Sequence, residues 1–226
     1  APGPTGERLT PRVHQTARRL WGVYIGLTII IGAAYAAAGM SLYDAVSHSF
    51  TTVSTGGFSP YQASIGHFES AAIEWLAIVS MFLAGGSFTL YYRALRKDVK
   101  PLFVSTEFRI YVLIVLGTTL WCFVTSGAGD GTSAGFRDSL FTMTSTITTT
   151  GYVTSDYGAW SQAAQALILV LLPIGAMAGS TAGGVKILRV MAVSSFAHRE
   201  ALKHLHPRLV RPVRVGRGIL SDDVAG

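Results

Sequence analysis

Four stretches of this chain contain no Asp, Glu, Lys or Arg: Leu20–Ala38, Trp75–Tyr92, Ile110–Gly129 and Trp160–Val185. Each is close to the ~20 residues a helix needs to cross ~30 Å of hydrocarbon. A soluble bundle of buried helices is the alternative, but it has no need of four uncharged runs at span length. Charged residues make up only 13% of the whole, against about 25% in a typical soluble domain. The chain reads as an all-α membrane protein.

The basic residues say how it sits. Arg8, Arg12, Arg18 and Arg19 precede the first run, and Arg93, Arg96, Lys97, Lys100 and Arg109 lie between the second and third. Lys186, Arg189, Arg199, Lys203, Arg208, Arg211, Arg214 and Arg217 end or follow the fourth, leaving only Arg137 on the other side. By the positive-inside rule the basic side is cytoplasmic and both termini are inside. The net charge of +6 is therefore a topology signal, and no nucleic-acid partner is expected. Residues 1–19 are polar and basic ahead of a full-length apolar run, so no signal peptide is expected. Cys122 stands alone, which excludes an intrachain disulfide. The outer side carries Asp44, Glu69, Glu74, Asp130, Asp138 and Asp156. They form either a cation-concentrating mouth or an ordinary solvated rim.

Shifting the sequence by 94 positions superposes its features without gaps. Asp44 meets Asp138, Ser54 meets Thr148, Thr55 meets Thr149, Gly57 meets Gly151, Phe58 meets Tyr152 and Gly85 meets Gly179. Such self-similarity indicates duplication. The unit is span, polar segment, span, over about 20–100 and 101–195, with 1–19 as a cytoplasmic basic segment and 196–226 as a cytoplasmic basic tail. Ser41–Thr52 and Arg137–Ile147 are each long enough for about three helical turns, with Ser41 and Ser133 as starts. Each short helix ends at a Ser/Thr-rich, Gly-aromatic element and is too short to cross, so it is expected to enter and return on the outer side. Its C-terminal dipole end would favour a cation. Non-helical backbone at that depth is tolerated only where protein buries it or water reaches it. Carbonyls there can replace the water around a bare cation, and glycine lets the backbone turn them inward. An ordinary outer Ser/Thr loop is the competing reading.

The fourth run contains Pro173 followed by Gly175, Gly179, Gly183 and Gly184. Proline removes a helical hydrogen bond and glycines weaken the helix, which predicts an unwound stretch in this span, below the loops, where it would obstruct a path. Small-residue helix packing is the rival. A phosphate-binding loop is rejected, because Val185 separates Gly184 from Lys186 and no Ser or Thr follows. At the matching place in the second run, Gly85, Gly86 and Ser87 are taken for helix packing. The six histidines show no shared ligand motif and are expected to be structural or solvated, and no nucleophile elbow is present. Trp21, Trp75, Trp121 and Trp160 fall near span ends, where interfacial aromatics belong.

Ser54–Ser59, Thr148–Tyr152 and Ala178–Arg189 together resemble the membrane subunit of Trk-type bacterial potassium uptake systems, of the Trk/Ktr/HKT superfamily. The resemblance covers nearly the whole chain, the Gly-rich broken-helix motif being its most specific part. It implies a potassium-channel-like fold of helix–pore loop–helix repeats, of which this chain matches the second and third of four. It implies filter residues at Ser54, Thr55, Gly56 and Gly57 and at Thr148, Thr149, Thr150 and Gly151, with potassium (K+) as the ion. It implies a gate loop through Gly175, Gly179, Ser180, Thr181, Gly183 and Gly184. It further implies a cytoplasmic nucleotide-binding ring as regulator, a homodimeric subunit and a bacterial inner-membrane location. Two loops cannot surround an ion with fourfold carbonyl rings, so either the chain is a fragment of a larger subunit, the reading favoured here, or two copies pair.

The expected function is potassium uptake through a carbonyl-lined pore, with no enzymatic activity and no organic cofactor. The alternative is a non-transporting membrane scaffold or enzyme subunit whose Ser/Thr loops bind a partner.

Overall fold

The computed structural model describes residues 10–125, 133–205, 213–215 and 218–220. Arg8, Asp130, His206, Arg208, Arg211 and Arg217 lie outside the described residues. Helix α1 (Thr10–Ala37) has 28 residues, about 42 Å at 1.5 Å per residue. It takes in Arg18 and Arg19, so the first span continues as helix past its apolar stretch. Helix α6 (Thr106–Thr125) is the second element that is long and apolar enough to cross a bilayer unaided.

The second run is not one straight helix, contrary to expectation. Helix α3 (Ala71–Ala84) and helix α4 (Phe88–Leu95) meet at 96° across Gly85–Gly86–Ser87. The break and close packing share this place. A Cβ at Gly85 would sit 2.6 Å from the Tyr111 hydroxyl and 2.7 Å from the Thr148 methyl. Helix α5 (Lys100–Val104) leads into α6.

The fourth run is unwound as expected. Helix α8 (Gln162–Leu171) stops before Pro173, and helix α9 (Ile187–Leu205) starts after a loop. Within the loop, β1 (Ile174–Gly175) pairs in parallel with β2 (Val185–Lys186). The Val185 N–H donates to the Pro173 carbonyl at 2.8 Å. Gly184, at φ +64°, and Gly175 approach so closely that a Cβ on either would strike backbone. Helix α9 runs ten residues into the expected tail, and β3 (Val213–Val215) pairs antiparallel with β4 (Gly218–Leu220) beyond it.

Helix α2 (Leu42–Val53) and helix α7 (Ser133–Ile147) are the two short helices. Ser41 caps α2: its Oγ accepts from the Asp44 N–H at 3.1 Å and donates to Asp44 Oδ2 at 2.7 Å. Helix α1 packs on α2, α6 on α7, and α3 reaches across to α7. One buried cluster joins Tyr35, Val53, Ile73 and Met81 to Phe141 and Tyr152 of the other half. A second gathers Tyr111, Met143, Ile147, Met177 and Ile187. Lipid is as apolar as a side chain, so close packing and internal hydrogen bonds, more than transfer from water, hold such a structure together.

Candidate functional site

Both short helices end in the same four backbone hydrogen bonds. Ser54 N–H donates to Phe50 O, Thr55 to Thr52 O, and both Gly56 and Gly57 to Thr51 O, at 3.0, 3.0, 2.8 and 3.3 Å. In the second half Thr148 donates to Thr144 O, Thr149 to Thr146 O, and both Thr150 and Gly151 to Ser145 O, at 3.0, 3.0, 2.9 and 3.5 Å. The backbone angles match too: φ is +52° at Thr55 and +55° at Thr149, +65° at Gly57 and +85° at Gly151. Glycine suits that left-handed region, whereas a β-branched threonine there is strained by about 1–2 kcal/mol. Strain of this kind concentrates at functional sites.

The donors determine where the carbonyls go. Every peptide here is trans, and in a planar trans peptide C=O and N–H point in opposite directions. The N–H groups of Gly56, Gly57, Thr150 and Gly151 all turn back onto their helix ends. The carbonyls of Thr55, Gly56, Thr149 and Thr150 therefore face away from those helices. Among the described residues, the carbonyls of Thr55, Gly56, Gly57 and of Thr148 to Gly151 accept no protein hydrogen bond. Backbone polar groups in a buried setting are normally paired. Ser54 differs, since its carbonyl accepts from the Thr55 hydroxyl at 2.7 Å.

The two loops touch where Gly57 meets Thr150 and Gly151. A Cβ on Gly57 would overlap the Thr150 carbonyl, whereas a Cβ on Gly151 would meet nothing within 4 Å. The aromatics after the glycines also differ in setting. Tyr152 is buried and its hydroxyl reaches the end of α2, 2.6 Å from Thr51 Oγ1 and 3.1 Å from Thr52 Oγ1, while donating to His48 O at 3.1 Å. Phe58, its counterpart, is 77% exposed. His48 is fully buried, with Nδ1 2.8 Å from Asp44 O and Nε2 3.0 Å from Ser59 Oγ. A carbonyl only accepts, so Nδ1 carries a proton and donates to Asp44 O. This histidine is a packing residue, as expected.

The unwound stretch lies against both helix ends. The Thr181 hydroxyl donates to Val53 O at 2.7 Å, with Ala84 O at 3.2 Å, and the Gly183 N–H donates to Thr149 Oγ1 at 2.6 Å. It also meets the break in the second span: Met177 N–H donates to Gly85 O at 3.1 Å and Phe88 N–H to Gly179 O at 3.0 Å. Each break thus satisfies backbone groups freed by the other. On the basic side, Glu107 Oε1 accepts from the Ala178 N–H at 2.6 Å. The Lys186 ammonium donates to Ala182 O within the same loop.

Of the outer acids among the described residues, Glu74 and Asp44 are engaged inside the protein. Glu74 forms an ion pair with Arg137, side chains 11% and 22% exposed, joining α3 to α7. Asp44 Oδ2 accepts from Ser41 and, at 3.2 Å, from Tyr61, a bond that raises the Tyr61 phenol above its usual pKa. The Thr55 and Thr149 strain and the Tyr152 network had no local signal in the sequence beyond the alignment of the two halves.

The family model described as "TrkH: Cation transport protein" matches residues 5–225. The Trk system potassium uptake protein TrkH of Halomonas elongata is 36% identical over 230 residues, covering 99% of this chain and 47% of that protein. The Trk system potassium uptake protein TrkG of Escherichia coli K12 is 37% identical over 231 residues, with the same coverage. The crystal structure of the potassium transporter TrkH from Vibrio parahaemolyticus superposes with a TM-score of 0.90 at 34% identity, covering 96% of this chain and 47% of that one. The chain spans about half the length of the relatives it matches.

Proposed function

The chain belongs to the TrkH family of cation transport proteins, and on that footing we propose that it supplies part of a potassium pathway lined by backbone carbonyls. It is a membrane protein, and its relatives are named as potassium uptake proteins rather than enzymes. The observation that carries the reading is the matched set of carbonyls at Thr55, Gly56, Thr149 and Thr150. They turn away from their helix ends and, among the described residues, take no protein donor. Neither loop carries a charged residue between Ser54 and Phe58 or between Thr148 and Tyr152. Coordination would then be by carbonyl dipoles, which suits a monovalent ion better than the carboxylate-rich cage calcium takes.

The unwound stretch at Gly175–Gly184 acts as the gate. Its contacts with Val53 O and Thr149 Oγ1 put it at the ends of both short helices, so a path between them passes the loop. The basic side faces the cytoplasm of a bacterial inner membrane, with both ends of this chain inside. The remaining filter walls come from outside this chain. A cytoplasmic nucleotide-binding ring and a second subunit copy complete the assembly.

Rubidium and sodium uptake by the functional assembly carrying Gly57→Ser or Gly151→Ser tests this. A lowered preference for rubidium over sodium supports the filter. An unchanged preference in both variants contradicts it.

A further inference from the structure

Arg19 and Arg96 share one aromatic ring. Their guanidinium carbons stand 5.3 and 5.2 Å from the centroid of Tyr92. Arg18 and Arg19 line a cavity of about 420 Å³ between α1 and α4 together with Gln15 and Tyr92, with Gly22, Val23 and Leu95 as its apolar wall, and Arg96 adjoins it through the shared Tyr92 ring. The nearby acid, Asp98, is held by Arg93 at 2.9 Å. Among the described residues no carboxylate pairs with Arg18, Arg19 or Arg96. Like charges gathered at one ring repel each other, so the cavity favours an anion.

A second hollow of about 400 Å³ lies on the same two helices, lined by Leu20, Trp21, Tyr24 and Phe88. It is wholly apolar or aromatic, and Trp21 is 63% exposed. The uncharged run of α1 begins there, directly after Arg19. Helix α4 leaves α3 at 96°, so it runs across the span direction, as an interfacial helix does. Cationic cavity and apolar hollow thus sit in the order of a lipid headgroup and its chains.

We infer that this surface binds an anionic phospholipid, the phosphate held by Arg18, Arg19 and Arg96 and an acyl chain lying along Leu20, Trp21, Tyr24 and Phe88. Guanidinium forks match phosphate oxygens, and basic pockets between helices at this level recognise anionic headgroups. An acidic peptide would satisfy the arginines but leave the apolar hollow unfilled. The inference needs only that α1 lies in a bilayer, and is independent of any ion pathway.

The test uses the functional assembly in vesicles with every tryptophan except Trp21 replaced by Phe, Trp75, Trp121 and Trp160 among them, so that Trp21 alone reports. Quenching by brominated phosphatidylglycerol is compared with quenching by brominated phosphatidylcholine. The expected result is about tenfold stronger relative binding of the anionic lipid, because three guanidinium groups face one headgroup. The combined Arg18→Gln, Arg19→Gln and Arg96→Gln variant should bring the ratio close to one, while Arg109→Gln, exposed on α6, leaves it unchanged. Should the glutamine variant fail to fold, lysine at the same three positions keeps the charge but not the fork and should lower the ratio about threefold. Equal quenching by the two lipids, or a preference that survives the triple change, overturns the inference. So does a preference that Arg109→Gln reduces as much as a single change at Arg18, Arg19 or Arg96. Equal lipid quenching together with Arg-dependent binding of soluble polyglutamate would assign the surface to an acidic protein instead.

Discussion

Gly57 rests directly on the carbonyl of Thr150, with no room for a side chain between them. Its repeat partner Gly151 has the same left-handed backbone but open space at the Cβ position. Two chemically equal glycines are thus under different constraints, one conformational and the other conformational and steric.

Gly57→Ala should therefore cost more than Gly151→Ala. Each pays about 1–2 kcal/mol for alanine in the left-handed region. Only Gly57→Ala also pushes two loops apart by backbone overlap. Thermal unfolding of the purified protein in detergent checks the order; a larger loss for Gly151→Ala would contradict the geometry.

Tyr152→Phe should destabilise the protein by about 1–3 kcal/mol, because the Thr52 hydroxyl and the His48 carbonyl lose a buried partner. Phenylalanine is tyrosine without its hydroxyl and needs no more space, so the effect isolates the hydroxyl. Phe58→Tyr, on an exposed ring, should be close to neutral. Chemical denaturation of both variants makes the comparison.

The glycines at 57 and 151, the short helices and the unwound fourth span were legible because each leaves a local mark. These marks are the 94-residue offset, the Ser41 cap, and Pro173 with its glycines. The break at Gly85–Ser87 was not, because the same residues also serve close packing. What decides for a break is distant: Met177 and Gly179 supply the donor and acceptor that the parted helices need. Threonine at positive φ was likewise illegible, since Thr55 and Thr149 are held there by bonds to the helix end rather than by any preference of their own. The pairing of Glu74 with Arg137 joins residues 63 apart, and the sequence showed them only as members of one outer surface.

Thr181→Val should raise basal potassium leak. The hydroxyl donates to Val53 O beside Ala84 O, and its loss weakens the loop's hold on the helix ends by about 1 kcal/mol, about fivefold in the closed-to-open ratio. Potassium efflux from loaded vesicles measures it. A variant that folds and transports like the parent would remove Thr181 from the gate.

Arg137→Met should destabilise by about 3–5 kcal/mol, because Glu74 is left charged and buried. Adding Glu74→Leu should recover most of that loss, since an apolar pair of similar volume replaces buried charges at little cost. Unfolding of the single and double variants forms the cycle; equal stability of all three would mean that the pair is solvated.

Anomalous diffraction from the functional assembly soaked in rubidium or thallium tests the pore most directly. A peak is expected within about 3 Å of the carbonyl oxygens of Thr55, Gly56, Thr149 and Thr150. An assembly that transports the ion yet shows its density elsewhere, with those carbonyls bonded to protein or facing bulk water, would contradict it.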